Sequence, residues 1–112
     1  MSAGAEYPDA GTGDVDGSAS KVAVLRPEGD LDTGSVHELR ERLDVVLNDD
    51  HVSTVVLDLT FIRFVDSSGL GALVEARLHA EATGTRLVLR NAGLQPLRLL
   101  RTTGAYDAFT WG

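Results

Sequence analysis

The chain has 112 residues, no cysteine, a formal net charge of -7 and 43% hydrophobic residues. This length allows one domain with a single core, and the lack of cysteine excludes disulfides and thiol chemistry. The acidic balance argues against direct nucleic-acid binding, which requires clustered Lys and Arg. No apolar run approaches the roughly 20 residues of a membrane-spanning helix, and no signal peptide is recognisable, so we expect a cytoplasmic protein whose direct partners are proteins.

The first 20 residues are predicted to be a disordered acidic tail. They contain four acidic residues and no basic one, and they are rich in Gly, Ala, Ser and Asp without an apolar period. Such a composition buries too little apolar surface to offset the entropy lost on ordering. The folded domain is therefore expected at residues 21–112.

The next part of the chain alternates between apolar runs and polar turns. Pro27 ends the first apolar run, because proline has no backbone N–H to donate to a sheet. Ser35 and Glu38 have the spacing of a capping box, and the apolar residues that follow recur every three or four positions, which indicates a helix. The predicted elements here are a strand at 21–26, a turn at 28–33, a helix at 36–48 and an apolar strand at 53–59.

The second half repeats this alternation. The amphipathic run Leu70 to Ala82 predicts a helix whose first turn approaches a neighbouring element at Gly71. Its expected inward face consists of Leu70, Leu73, Val74 and Leu78. The later elements are a strand at 86–90, a turn at 91–93, a helix at 95–102 with Pro96 in its first turn, and a strand at 107–111. The order βαβαβαβ predicts an α/β fold, a single domain with a mostly parallel sheet of about four strands and interleaved helices.

Two adjacent serines, Ser67 and Ser68, stand between the apolar strand and this amphipathic helix, directly after Asp66. The first N–H groups of a helix have no intrahelical partner, and the helix dipole favours an anion there. A phosphate on a serine at this point would be tolerated locally. Asp and Ser are also preferred N-cap residues, so the segment alone fits a purely structural cap as well.

The sequence Asp-Ser-Ser-Gly-Leu-Gly at 66–71, after a Val/Leu strand, resembles the STAS domains of the anti-sigma factor antagonists. Two more segments match in order and spacing. Gly-Asp-Leu-Asp at 29–32 looks like the family's Gly-Glu-Leu-Asp turn, and residues 99–105 look like its closing helix and final turn. The resemblance covers residues 21–111. Family members usually have an extra strand before residue 21, expected here to be missing or very short, and continue into a C-terminal helix, whereas this chain ends at Gly112.

The resemblance implies a non-enzymatic switch without a cofactor. In this family, an anti-sigma factor that is an ATP-dependent serine kinase holds a sigma factor, and the unphosphorylated antagonist binds the kinase and so releases the sigma factor. The kinase then phosphorylates the serine after the aspartate, which corresponds to Ser67, and a metal-dependent serine phosphatase removes the phosphate. The implied partner-binding residues are Asp32, Asp66, Ser67, Ser68, Gly69 and Leu70. The alternative is an unmodified STAS-type interaction scaffold in a sensory complex.

Other chemistries fit the sequence less well. A serine hydrolase is disfavoured because the Gly-x-Ser-x-Gly elbow is absent, and no Walker-type loop supports nucleotide binding. Glu75 and His79 share a helix face but have no evident third metal ligand, so we expect them to be solvent-exposed. Asp32 and Asp66 end strands at the same edge of the predicted sheet. They either cap their turns or act beside Ser67, by orienting the serine or gathering the kinase's magnesium; a small enzyme using both is a remoter alternative.

Overall fold

A computed structural model describes residues 5–6 and 21–112 of the chain. The strands are β1 Ala5–Glu6, β2 Lys21–Leu25, β3 Gly29–Leu31, β4 Val52–Asp58, β5 Ile62–Val65, β6 Arg86–Arg90 and β7 Thr110–Trp111. The helices are α1 Val36–Leu47, α2 Ser67–Thr83 and α3 Leu94–Thr102, with a 3₁₀ helix at Tyr106–Ala108. No helix in these described ranges is long and apolar enough to cross a membrane.

Two sheets organise the fold. The main sheet has the order β1-β2-β4-β6-β7, in which β2, β4, β6 and β7 are parallel and β1 is antiparallel to β2. The second sheet consists of β3 and β5, which are parallel. The predicted α/β class and the sheet of four mainly parallel strands are confirmed.

The core lies between the main sheet and helices α1 and α2. Alternate residues of the three central strands point to this side and are buried. They are Ala23, Leu25, Val55, Leu57, Leu87 and Leu89. Val24, Val56 and Val88 form a smaller buried cluster on the opposite face of the sheet. Burial on both faces explains why these strands read as continuous apolar runs instead of alternating ones.

Two short strands, β1 and β3, lie outside the predicted elements. Ala5–Glu6 falls inside the range predicted as a disordered tail and pairs with β2 as a two-residue strand, which agrees with the very short strand expected before residue 21. The rest of that tail lies outside the described residues. The predicted turn at 28–33 is wrong at Gly29–Leu31, which pairs with β5. Three residues are too few to show the alternation of buried and exposed positions that marks a strand. The sequence alone therefore does not identify β3; its pairing with β5 does.

Two helix predictions also need correction. The Ser35 side chain does not cap α1; its hydroxyl instead donates to the Asp30 carbonyl at 2.7 Å, so the capping-box interpretation is wrong. In α2, Leu78 is 51% exposed and not inward-facing. The inward face is made chiefly by Ala72, Leu73, Ala76 and Ala80, while Leu70 and Val74 are half-buried against the core. The small alanine side chains allow α2 to pack close to the sheet and to α1.

After α3 the chain turns and forms the 3₁₀ helix and the last strand, β7. Gly104, with φ of 77°, follows the end of α3 in the left-handed conformation that favours glycine. The strand predicted at 107–111 is shorter than expected, because its first half forms the 3₁₀ helix. The Trp111 ring stacks on Tyr106 with centroids 4.8 Å apart, and its Nε1–H donates to the Tyr106 carbonyl at 3.0 Å.

Candidate functional site

The serines lie where β5 passes into α2, beside the end of β3. Leu31 and Val65 are register partners in the two-stranded sheet, and the Asp66 amide donates to the Leu31 carbonyl at 3.1 Å. Asp32 and Asp66 therefore follow the paired ends of neighbouring parallel strands. The structure brings the two aspartates to one edge of the sheet, as the sequence led us to expect.

Asp66 is the N-cap of α2. Its backbone is extended, with φ of -101° and ψ of -171°, and its Oδ1 accepts a hydrogen bond of 3.0 Å from the Gly69 amide. This bond satisfies one of the N–H groups that the first helical turn leaves without an intrahelical partner. The helix thus begins at Ser67, with that residue in its first position.

The two serines differ in their surroundings. Ser68 is half-buried, and its hydroxyl lies 2.9 Å from the hydroxyl of Thr33 in the loop between β3 and α1. Ser67 is exposed, and its side chain makes no hydrogen bond with the part of the chain that the structure describes. The Ser67 hydroxyl is therefore the one that an external enzyme reaches without breaking an internal contact.

The Asp32 carboxylate stabilises its own turn. Its Oδ1 accepts from the Gly34 amide at 3.0 Å and from the Ser35 amide at 3.2 Å. The Ser35 hydroxyl oxygen, whose hydrogen points to the Asp30 carbonyl, lies 3.2 Å from the same carboxylate oxygen. Asp32 and Asp66 thus both have the geometry of turn caps, which was one of the two interpretations of these residues.

Gly69 allows α2 to start directly beside β3. A Cβ atom at this position would lie 2.4 Å from the Leu31 carbonyl oxygen and 2.9 Å from the Leu31 and Val65 side chains. At Gly71, where we predicted a close approach, a Cβ atom would meet nothing within 4 Å. The close-approach prediction is wrong by two residues, because the short strand β3 that α2 approaches was not recognised.

Gln95 of α3 holds the end of β5 from the other side. Its Nε2 donates to the Val65 carbonyl at 2.9 Å, and its Oε1 accepts from the Val65 amide at 2.8 Å. The side-chain amide thus takes the place of a neighbouring strand. Sequence reasoning missed both Gln95 and Thr33, because no local pattern marks a partner 30 or 35 residues away.

Apolar side chains are exposed next to this junction. Phe64 precedes Val65 in β5 and is 44% exposed, and Leu94 precedes Gln95 in α3 and is 80% exposed. Leu70, one turn into α2, is half-buried. Exposed large apolar side chains beside a polar site are typical of surfaces that bind protein.

A buried carboxylate, Asp58, closes the end of the central strand β4. Burial raises the pKa of the Asp58 carboxyl, but hydrogen bonds outweigh that effect and hold the pKa below its ordinary value. Its Oδ1 accepts from the Thr60 hydroxyl at 2.5 Å, the Thr60 amide at 3.0 Å and Asn91 Nδ2 at 3.3 Å. Its Oδ2 accepts from Arg26 Nε at 3.4 Å. This carboxylate therefore joins the ends of three strands of the main sheet.

Glu75 is exposed as expected, whereas His79 is half-buried, and both contact residues of α1 or its C-terminal end. Glu75 Oε1 accepts from Arg40 Nε at 2.7 Å. His79 Nε2 lies 3.0 Å from Asn48 Oδ1, and its Nδ1 lies 3.5 Å from Asp44. Within residues 5–6 and 21–112 no group of three or more His, Cys, Asp or Glu side chains is arranged to hold a metal ion.

Residues 16–111, most of the chain, match the STAS domain family. The chain belongs to that family. Its sequence is 30% identical over 71 residues to the anti-sigma F factor antagonist of Lysinibacillus sphaericus, a match that spans 63% of this chain and 61% of that relative.

Solved STAS structures share the fold. An anti-sigma factor antagonist from Mycobacterium paratuberculosis superposes with a TM-score of 0.69 at 25% identity, covering 96% of this chain and 82% of that one. The Bacillus cell fate determinant SpoIIAA, in its phosphorylated form, gives a TM-score of 0.63 at 23% identity, covering 81% of this chain and 82% of that one. The resemblance inferred from the three sequence segments is thus confirmed at the level of family and fold.

Proposed function

We propose that this STAS domain is an anti-sigma factor antagonist switched by phosphorylation of Ser67. The unphosphorylated form binds an anti-sigma factor that is also a serine kinase, and this binding releases the sigma factor in the cytoplasm. The kinase transfers phosphate to Ser67, which ends the binding, and a metal-dependent serine phosphatase restores it. The protein acts as a binding partner, without catalysis, a cofactor or direct nucleic-acid contact.

The observation that carries this proposal is the contrast between the two serines. Ser67 is exposed and has no internal side-chain hydrogen bond within the described residues, whereas Ser68 is tied to Thr33 at 2.9 Å. Asp66 supplies the cap of α2, so the Ser67 hydroxyl is not needed for it. A relative described as an anti-sigma F factor antagonist and a fold neighbour solved in a phosphorylated form support the same scheme.

The electrostatics favour a switch that acts on binding. A phosphate adds about −1.5 to −2 charges at neutral pH, directly beside Asp66 and near the paired turn that holds Asp32. In the free protein, the N-terminus of α2 offsets part of the repulsion, by roughly 1 kcal/mol. In a complex the same dianion has to lose its water, and an unpaired buried charge costs several kcal/mol. The phosphate therefore opposes the complex far more than it opposes the fold.

We place the partner's contact surface around Ser67. It comprises the predicted residues Asp32, Asp66, Ser67, Ser68 and Leu70. Gly69, also predicted for this surface, is buried against Leu31 and supports the start of α2 instead. The exposed side chains of Phe64 and Leu94 add apolar area next to them. A few well-packed residues supply most of the binding energy in protein interfaces, while the surrounding charges set specificity.

Incubation with candidate anti-sigma serine kinases and Mg-ATP, followed by mass spectrometry of the modified peptide, tests the proposal. We expect one phosphate on Ser67, no phosphorylation of Ser67→Ala, and phosphorylation that remains on Ser67 in the matched variant Ser68→Ala. A phosphate on Ser68 or Thr60 would refute the assignment. Binding of an anti-sigma factor by a protein that none of the kinases modifies would favour the unmodified scaffold instead.

A further inference from the structure

Strand β5 leads directly to Asp66 and Ser67, yet among the described residues it has a strand neighbour on one side only. β3 pairs with that side, and the Asp66 amide bonds to the Leu31 carbonyl there. On the other side, the Val65 amide and carbonyl both face the Gln95 side chain, at 2.8 and 2.9 Å. The backbone two residues before Ser67 is therefore held from both edges.

The Gln95 side chain makes two hydrogen bonds to Val65, and two bonds fix the orientation of the Val65 backbone as well as its distance from Gln95. A carboxamide carries a donor and an acceptor side by side, so it pairs with the N–H and C=O of one residue as a strand would. Gln95 lies in the first turn of α3, which is anchored by the buried Pro96 and Leu100. The end of β5 is thus tied to a packed helix 30 residues further along the chain.

Phosphoryl transfer is sensitive to this kind of restraint. The acceptor hydroxyl has to lie in line with the γ-phosphate at about 3 to 3.5 Å, and a displacement of about 1 Å costs on the order of 100-fold in rate. Ser67 has no internal side-chain hydrogen bond among the described residues, so its position depends on the backbone that precedes and follows it. Asp66 fixes the backbone that follows, and Gln95 fixes the backbone that precedes.

We propose that Gln95 is a positioning residue for the phosphorylation of Ser67. By its hydrogen bonds to Val65, Gln95 sets the position of the Ser67 hydroxyl in the kinase complex. Its side chain also covers the side of β5 that does not pair with β3. This inference rests on the proposed function, because it concerns the rate of the same phosphorylation.

Steady-state phosphorylation of wild type, Gln95→Ala and Asn48→Ala by an anti-sigma serine kinase with Mg-ATP tests the inference. Asn48 is the matched control, since it also has a side-chain amide in a hydrogen bond, to His79 at 3.0 Å, but lies just after the C-terminal end of α1. We expect Gln95→Ala to lower kcat about tenfold or more with KM changed less than about threefold, and Asn48→Ala to leave both unchanged.

Nuclear magnetic resonance of the Val65 amide supplies a signature that general destabilisation would not produce. In Gln95→Glu, one carboxylate oxygen still accepts from the amide, but the other faces the Val65 carbonyl without a proton to donate. Protonation restores the donor. We therefore expect the Val65 amide signal of Gln95→Glu to return towards its wild-type position as the pH falls through about 4 to 5.

The outcomes separate the two proposals. An unchanged kcat for Gln95→Ala, with wild type phosphorylated on Ser67, overturns the role of Gln95 and leaves the proposed function standing. An equal loss of kcat in Asn48→Ala also overturns the role of Gln95, because general destabilisation then accounts for the effect. A wild-type protein that the kinase does not phosphorylate overturns both.

Discussion

Asp66 and Ser67 are neighbours with opposite roles: the Asp66 side chain caps α2, whereas the Ser67 side chain has no hydrogen-bond partner among the described residues. Asp66 accepts from the Gly69 amide at 3.0 Å. Replacing Asp66 with Ala should lower the free energy of unfolding by about 1 kcal/mol through loss of the helix cap. Asp66→Asn, which keeps the acceptor oxygen, should lose less. Urea denaturation measures both variants, and equal stability of Asp66→Ala and wild type would show that the cap contributes nothing.

Asp58 gives the fold a predictable dependence on pH. Because hydrogen bonds hold its folded pKa below the unfolded value of about 3.9, its charge stabilises the protein above that value. The contribution is lost as the pH falls through the folded pKa. We expect Asp58→Asn to lower the free energy of unfolding by about 1.5–3 kcal/mol at pH 7.

The difference in the free energy of unfolding between wild type and Asp58→Asn should stay constant above about pH 5 and shrink below about pH 4, since only the wild type has the Asp58 carboxylate to protonate there. The free energy of unfolding of both proteins, measured across this pH range, tests the direction of this change. A difference that grows as the pH falls would contradict the assignment of a lowered pKa to Asp58.

The approach of α2 to β3 can be tested with two glycines of one helix. Gly69→Ala would place a Cβ atom 2.4 Å from the Leu31 carbonyl oxygen, so the helix start has to move, and we expect a loss of about 1–3 kcal/mol. Gly71→Ala meets nothing within 4 Å, and alanine favours the helix, so it should stabilise the protein by about 0.5–1 kcal/mol. Thermal unfolding of both variants checks these opposite signs. Equal effects would refute the close approach at Gly69.

The sequence predicted the long elements of the fold but not the short ones. Strands β2, β4 and β6 and helices α1 and α3 begin and end within one or two residues of their predicted limits, because each is a sustained apolar pattern. β3 has three residues, and its conformation is set by pairing with β5. Leu78 was misplaced because alanines, which give a weak apolar signal, form much of the buried face of α2.

Within the site, features that are local in the sequence were predicted, and contacts between distant residues were not. Asp66, Ser67 and their position at the start of a helix were predicted, because cap, hydroxyl and helix are consecutive in the sequence. The pairing of Ser68 with Thr33 and of Val65 with Gln95 was not predicted. Such contacts depend on how distant elements pack, which one sequence without its structure does not reveal.

At the scale of the whole molecule, the phosphate should change binding and leave the fold intact. Helix α2 is anchored by buried side chains that include Leu73, Ala76 and Ala80, and one charge at a favourable helix end does not outweigh their burial. Backbone amide shifts on phosphorylation should be confined to the β5–α2 junction and the loops that contact it. The emission of Trp111, the only tryptophan, should stay unchanged because it lies in β7, outside the β3–β5 sheet. Large shifts or altered exchange in β4 and β6 would demand a conformational mechanism.

The central claim is that one phosphate on Ser67 decides whether the partner binds. Calorimetric titration of an anti-sigma serine kinase with the unphosphorylated and the Ser67-phosphorylated protein tests it most directly. Burying an unpaired dianion costs several kcal/mol, so we predict an affinity at least about 1,000-fold weaker for the phosphorylated form. Ser67→Asp should weaken binding less, because it carries fewer charges and acceptor oxygens. Equal affinities of the two forms, or tighter binding of the phosphorylated one, would contradict the account.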